Sequence, residues 1–301
     1  MNLYVGITDR NWFEFLANRP DIDEVNFWQP SGNRQFRALQ KGELFLFKLH
    51  APDDVIVGYG IFAHSSILPI SQAWDYFREK NGVNDLIEMR ARVEKYRRIP
   101  PQPFEDYPIG CIMLQQPTFL HKSKWFRIPG WKKGIQQGAT FDLESEIGKL
   151  IFKNIHKTEG IREMPIQQER FGEPVQVLPR LGQATFRSMV LDNYNRKCAV
   201  TAEKILPILI SAHIKPYKLA GHQPSNGILL RTDIHTLFDR GYMTISPDYH
   251  VEVSKRIKTD FDNGKNYYAL HGNEILLPSS VVDQPDKVLL QWHNENIFKA
   301  G

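Results

Sequence analysis

Cysteine is scarce in this sequence: Cys111 and Cys198 are the only two in 301 residues. Two thiols cannot build a disulfide framework or a four-cysteine zinc site, so two reduced thiols are expected. Long apolar runs are missing as well. No stretch approaches the roughly 18 unbroken apolar residues of a membrane span. The start, MNLYVGITDRNW, lacks the basic opening and apolar block of a signal peptide. A cytoplasmic protein with no membrane partner is expected. Extreme charge is absent too: the net charge is +4, with 24% charged and 42% apolar residues. That balance excludes a fully disordered chain, and the length allows two domains at about 150 residues each. No internal repeat or low-complexity tract stands out.

The positive charge is unevenly spread. Between Arg90 and Gly134 there are ten Lys/Arg and three Asp/Glu. Trp125, Phe126 and Trp131 are interleaved with Lys122, Lys124, Arg127, Lys132 and Lys133. Cations meet phosphates and rings meet bases, so this mixture suits a nucleic-acid surface, though a solvated basic face has the same composition.

Residues 1–143 read as mixed α and β. Helical spacing runs over Asn11–Ala17, and strands are expected at Glu43–Leu49 and Val55–Phe62 with Asp53-Asp54 in the turn between them. Ser71 is placed to cap a helix ending at Gly82, a basic helix is expected over Asn84–Arg98, and a further strand over Ile109–Leu114. Such strands with a few helices predict a small mixed barrel. From Asp142 to Leu178 the pattern weakens: Glu144–Phe152 has helical character, and Ile161–Val177 is polar with scattered prolines, as a linker is. Beyond Pro179 the expected order is a helix (Gln183–Asn195), a strand (Ile205–Ile214), a loop, a strand (Gly227–Leu230), a helix (Thr232–Arg240) and a hairpin around Pro247-Asp248.

Within that strand–loop–strand–helix frame stand His213, Asn226 and His235, spaced 13 and then 9 residues apart. Phosphodiester hydrolysis needs a base for the attacking water and a positive charge for the leaving oxygen. A neutral imidazole is a suitable base near neutral pH, and a divalent cation can stabilise the leaving group. His213 is the candidate base, His235 the candidate metal ligand, and Asn226 a candidate to orient His213 through loop or backbone. Asp239, four residues after His235 on one helix face, can support the imidazole or reach the ion through water. Each of these residue types also occurs in structural roles: a satisfied histidine, a turn asparagine, a surface pair. The ordered set carries more information than any member.

Residues 180 to about 257 resemble the HNH endonuclease domain of ββα-metal fold. The motif CAVTG…AAHI.P…NG..L…H.LFD.G is represented here by CAVTAEKILPILISAHIKPY and SNGILLRTDIHTLFDRGYMTI. The resemblance implies His213 as general base, Asn226 as supporting residue, His235 as metal ligand, and metal-dependent DNA hydrolysis leaving a 5′-phosphate. Many HNH proteins carry Asp or His directly before the base as a second ligand, where this chain has Ala212. Many also carry a CxxC zinc framework, whereas Cys198 stands alone, so no structural zinc is expected. Imidazole and oxygen ligation admits Mg or Mn, and also Co or Ni.

The segment VNFWQPSGNRQFRALQKGELFLFKLHAPDDVIVGYGIF resembles an EVE domain of the PUA-like class. Trp28, Asn33, Lys41-Gly42-Glu43 and Val57-Gly58 carry the likeness, with Glu43 in place of the commoner Asp. It implies a pocket for a flipped, modified base, with Trp28 as a wall, Ser31 and Asn33 as edge readers, and Phe47 and Trp74 as further candidates. Both aromatics are equally suited to a core. The fold class expected is thus α+β in two domains. A PUA-like (EVE) mixed β-barrel with helices over 1–143 is followed by a linker over 144–178 and a ββα-metal HNH domain over 179–301. The combination resembles EVE–HNH modification-dependent restriction endonucleases of bacterial phage defence. It implies double-stranded DNA with 5-methyl- or 5-hydroxymethylcytosine as partner and a homodimer to cut both strands. Two alternatives stand beside it: a nucleic-acid-binding regulator with an idle HNH domain, and an HNH nuclease indifferent to modification.

Overall fold

The computed structural model describes residues 1–132, 134–135, 137–158, 166–167, 175–176 and 181–301. The chain divides into two compact units, Met1–Gly182 and Gln183–Gly301. Among the described residues no helix is long and apolar enough to cross a membrane.

The first unit is built on β1 (Asn2–Thr8), α1 (Arg10–Ala17), β2 (Glu24–Gln29), β3 (Leu44–Leu49), β4 (Ile56–Pro69), α2 (Ile70–Phe77), α3 (Leu86–Lys95), β5 (Pro108–Phe119), β6 (Gly138–Asp142) and α4 (Glu146–Thr158). Its strands form one mixed sheet in the order β2-β5-β4-β3-β1-β6, with only β1 and β3 parallel. The expected barrel is not closed: β2 and β6 lie at the two ends of this order and share no ladder among the described residues.

Strand β3 is apolar at almost every position because both of its faces are covered. One face carries Phe45, Phe47 and Leu49 against Trp12, Phe13 and Leu16 of α1 and Phe27 of β2. Trp12 meets Phe47 edge-on at 5.1 Å, and Phe27 meets Phe45 at 4.7 Å. The opposite face packs Leu44 and Leu46 with Leu3, Val5 and Ile56 against Ile151 and Ile155 of α4. Ile147, Ile151 and Ile155 recur every fourth residue, so this helix, inside the stretch expected as linker, presents an apolar stripe to the first unit. Of that stretch, β7 (Ile166–Gln167) and β8 (Val175–Gln176) pair antiparallel; residues 159–165, 168–174 and 177–180 lie outside those described.

Strand β4 runs seven residues past the expected end at Phe62. Two register shifts, at Tyr59/Ile61 and Phe62/His64, bend it along β5. Its polar stretch is held by distant partners: Ser65 donates from Oγ to the Phe36 carbonyl (2.8 Å), and Gln35 donates to the Ser65 carbonyl (2.7 Å). Ser71 is not the cap of α2. Pro69 occupies that position, and the Ser71 hydroxyl donates to Asp106 (2.6 Å) instead. Gly82, at φ 79°, ends the helical segment, and a Cβ there would meet Trp12 Cδ1 at 2.3 Å.

The second unit runs α5 (Gln183–Asn193), β9 (Leu209–His213), α6 (Tyr217–Ala220), β10 (Gly227–Arg231), α7 (Thr232–Asp239), β11 (Met243–Ile245), β12 (Val251–Val253), α8 (Arg256–Phe261), α9 (Lys265–Tyr268) and α10 (Lys287–Asn296). The first strand begins at Leu209 rather than Ile205, because Leu206–Ile208 forms a tight helical turn around Pro207. Strands β9 and β10 pair antiparallel and lead directly into α7, giving the ββα order. Ile234 and Phe238 of α7 are buried, which leaves His235 and Asp239 together on a neighbouring stripe.

His293 of α10 fastens α7 from the other side. Its ring stacks on Phe238 at 3.7 Å, Nδ1 lies 2.8 Å from the Thr244 hydroxyl, and Nε2 lies 3.2 Å from the Phe238 carbonyl. Burial pushes its pKa down to about 4, against a weaker opposing effect of the Phe238 carbonyl. Below its ordinary value of 6.5 the unfolded chain binds a proton that the folded chain refuses until about pH 4. Its contribution to stability is therefore complete above pH 6.5 and declines as pH falls towards 4. Proton uptake on unfolding, measured near pH 5.5 by calorimetry in several buffers, is expected to drop by about one in His293→Leu.

Candidate functional site

His213 closes β9 and stands opposite Gly227, the first residue of β10. Its imidazole lies on the ring of Phe186 from α5, with centroids 4.1 Å apart and planes within 10°. Helix α5 can approach this closely because residue 227 has no side chain. A Cβ there would meet Val190 Cγ2 at 2.5 Å and the Phe186 ring at 2.9 Å. Nε2 of His213 is 3.0 Å from Nδ1 of His222. Burial pushes the His213 pKa down to about 4, and the neighbouring His222, Arg187 and His235 push the same way. At neutral pH the ring is therefore uncharged and keeps a lone pair for a proton.

Asn226 is fully buried and does not act on the His213 ring directly. Its amide donates to the carbonyls of Lys215 (2.9 Å) and Gly221 (3.1 Å), and its Oδ1 accepts from the Lys215 amide (2.9 Å). Its own carbonyl accepts from the Ile214 amide at 2.9 Å. One carboxamide thereby ties both ends of the loop that leaves His213 and carries His222.

His235 Nε2 and Asp239 Oδ2 are 3.2 Å apart, one turn along α7. Burial raises the Asp239 pKa, and the neighbouring His235 partly opposes that rise. Two donors bound side by side to one ion at about 2.1 Å and near-right angles stand about 3 Å apart, so this pair fits a divalent cation. Among the described residues no three His, Cys, Asp or Glu side chains converge into a metal shell. A cation on His235 and Asp239 would keep most positions for water and phosphate oxygens, as a hydrolytic site requires. Ala212 is buried on the other side of β9 and brings no donor.

His213, His235 and Asp239 line one cleft of about 430 Å³ together with Arg187, Ser211 and Trp292. The Arg187 guanidinium has no ion pair among the described residues, leaving it available to an anion beside His213. Sequence reasoning missed Phe186, Arg187 and Trp292 because they lie far from the motif in sequence. It missed His222 too, although a second histidine nine residues after His213 was a usable signal.

The first unit contains a larger cavity, about 800 Å³, lined by Trp28, Lys48, His50, Asp54, Tyr96 and Trp131 among others. Of the five residues proposed from sequence for a base pocket, Trp28 alone lines it. Trp28 is half-buried, and its Nε1 donates to the Asn81 carbonyl at 3.2 Å. Phe47 is wholly buried in the aromatic core, in the middle of a strand covered on both faces. Trp74 sits on α2 beside the Arg78 guanidinium, away from the cavity, because α2 turns its other face to the sheet. Ser31 and Asn33 are exposed beyond the end of β2 and do not line it either. Lys48 is buried, pairs with Asp54, and holds its ammonium 4.8 Å from the Trp131 ring centroid. His50 stacks on Tyr96 at 6.2 Å, and burial lowers its pKa. Of the interleaved aromatics, Trp125 packs on Phe13 and donates to the Leu120 carbonyl, so it belongs to the core wall.

Residues 198–246 match the HNH endonuclease family. No curated protein matches the chain. Among solved structures, ASCH from Zymomonas mobilis is similar over 50% of this chain and 94% of its own, at 8% identity and a TM-score of 0.33. A single-residue variant of that protein covers 50% and 96%, at 6% identity and a TM-score of 0.36. A modification-dependent restriction endonuclease, TagI, is similar over 98% of this chain and 82% of its own, at 13% identity and a TM-score of 0.28.

Removing the carboxamide would strand three backbone groups in the loop. Asn226→Ala is expected to lose about 1–3 kcal/mol of unfolding free energy and to speed amide hydrogen exchange at 215–222. Wild-type exchange in that loop would show that the clamp is unimportant.

Proposed function

We propose that the chain is a modification-dependent restriction endonuclease acting on double-stranded DNA. The observation that carries the hydrolytic half is the shared cleft: a neutral imidazole, a guanidinium with no ion pair among the described residues and a His–Asp donor pair face one space. These lie within or beside the segment that matches HNH endonucleases.

In this reading Arg187 holds a non-bridging oxygen of the scissile phosphate. His213 takes a proton from the attacking water, the new bond forms to phosphorus, and the bond to the 3′ oxygen breaks, leaving a 5′-phosphate. Asn226 keeps His213 in place by fixing the backbone that follows it. His235 and Asp239 would hold Mg, Mn, Co or Ni, which when bound stabilises negative charge on the leaving oxygen. A single site cuts one strand, so two copies of the chain act together on a duplex.

The first unit supplies recognition. A flipped pyrimidine needs aromatic walls and a few polar groups at its edge. Trp28, Tyr96 and Trp131 offer the walls, and His50 and the Lys48–Asp54 pair the polar edge. The base read is cytosine carrying a 5-methyl or 5-hydroxymethyl group. Ala212 favours a second reading, a nucleic-acid-binding regulator with an idle nuclease unit, because it removes a ligand that many HNH proteins use.

Matched plasmids carrying cytosine, 5-methylcytosine or 5-hydroxymethylcytosine, incubated with Mg or Mn, separate these readings. Only the modified plasmids should be cut, and EDTA should stop the reaction. His213→Ala should slow cutting by about 100- to 10,000-fold while sparing binding. Trp28→Ala should weaken binding of modified DNA by about 1–3 kcal/mol, the worth of one stacked base. Equal cutting of all plasmids would remove the base reader. Silence with every metal would favour the regulator.

A further inference from the structure

We propose that His222 is a positioning residue that fixes the proton on His213, accepting a hydrogen bond at Nδ1 from the His213 Nε2–H. This rests on the reading of His213 as general base. The two nitrogens are 3.0 Å apart, and only one proton can lie between two neutral rings. If His213 donates, its Nδ1 carries the ring's lone pair and can take a proton from water. If His222 donates instead, the His213 lone pair at Nε2 is consumed and Nδ1 carries hydrogen. The ring is then useless as a base. The direction of this one bond therefore decides whether the site works.

Several contacts hold the pair in register. His213 is stacked on Phe186, and His222 is stacked on Tyr217 at 5.0 Å with planes within 3°. Phe186 also touches His222, at 5.6 Å. The backbone just before His222 is tied down where the Gly221 carbonyl accepts from Asn226. Asn226 thus sets the strand end bearing His213 and the loop bearing its partner at once.

The arrangement favours the transition state over the ground state. When His213 gains a proton at Nδ1 it becomes an imidazolium, and its Nε2–H bond to His222 becomes charge-assisted, about twice as strong as before. The bond thus strengthens as the water is deprotonated, and such differential binding is what raises kcat. A third group that orients the base is the logic of the hydrolase triads, here supplied by a second imidazole.

Two measurements on the full chain test this. Heteronuclear NMR of the imidazole nitrogens at neutral pH should show His213 protonated at Nε2. His222→Phe, which keeps a ring for Tyr217 but has no acceptor, should lower kcat about 10- to 100-fold with KM unchanged. His222→Asn, whose Oδ1 can accept near the Nδ1 position, should restore most of that loss. A His213 proton found at Nδ1, or a His222→Phe enzyme with wild-type kcat, overturns the proposal. If the wild-type chain cuts nothing, the nuclease reading falls, and the NMR result alone decides which way the hydrogen bond points.

Discussion

A buried carboxamide governs the second unit. Asn226 satisfies three polar backbone groups in the loop between β9 and β10, and it does so with no exposure to solvent. In that environment an unmatched amide or carbonyl is costly, so the loop has one low-energy path rather than many. The end of β9, the turn at Gly221 and the start of β10 follow from that path. The positions of His213 and His222 follow from it as well. Rings above and below then lock orientation, which a loop alone does not provide.

The second unit was largely legible because its elements are local. The helix over 232–239 shows its buried stripe in Ile234 and Phe238, and the β9–β10 pair is short and flanked by Pro and Gly. His213, Asn226, His235 and Asp239 were all visible as residues of a motif, and three of the four line one cleft. What was hidden came from elsewhere in the chain. Nothing in the sequence around 186–187 announces that Phe186 will lie under His213, since the pairing is made by helix packing across 27 residues.

The first unit was less legible, for a different physical reason. A strand buried on both faces has no alternation to show which side a ring will take, so the sequence leaves Phe47 open to a core or a pocket role. Strand β4 runs past Phe62 through polar positions, where Ser65 is held by Phe36 and Gln35 from far along the chain, and no local pattern announces such partners. Lys48 is the opposite case. A lysine in the run Phe45–Leu49 is conspicuous, yet only the fold shows its ammonium paired with Asp54 beside a cavity. The barrel was an inference from strand number, and strand number does not determine closure.

The stack beneath His213 bears on how the second unit can be cut out and moved. The family segment begins at residue 198, whereas Phe186 and Arg187 precede it on α5, and Trp292 and His293 follow it on α10. A graft bounded by the motif would carry His213, His235 and Asp239 but leave behind the ring beneath His213, the Arg187 side chain and the buttress formed by His293. The smallest portable piece is therefore set by the layer of helices that encloses the motif. Gly227, which lets the first of those helices close down, should travel with α5 as a matched part.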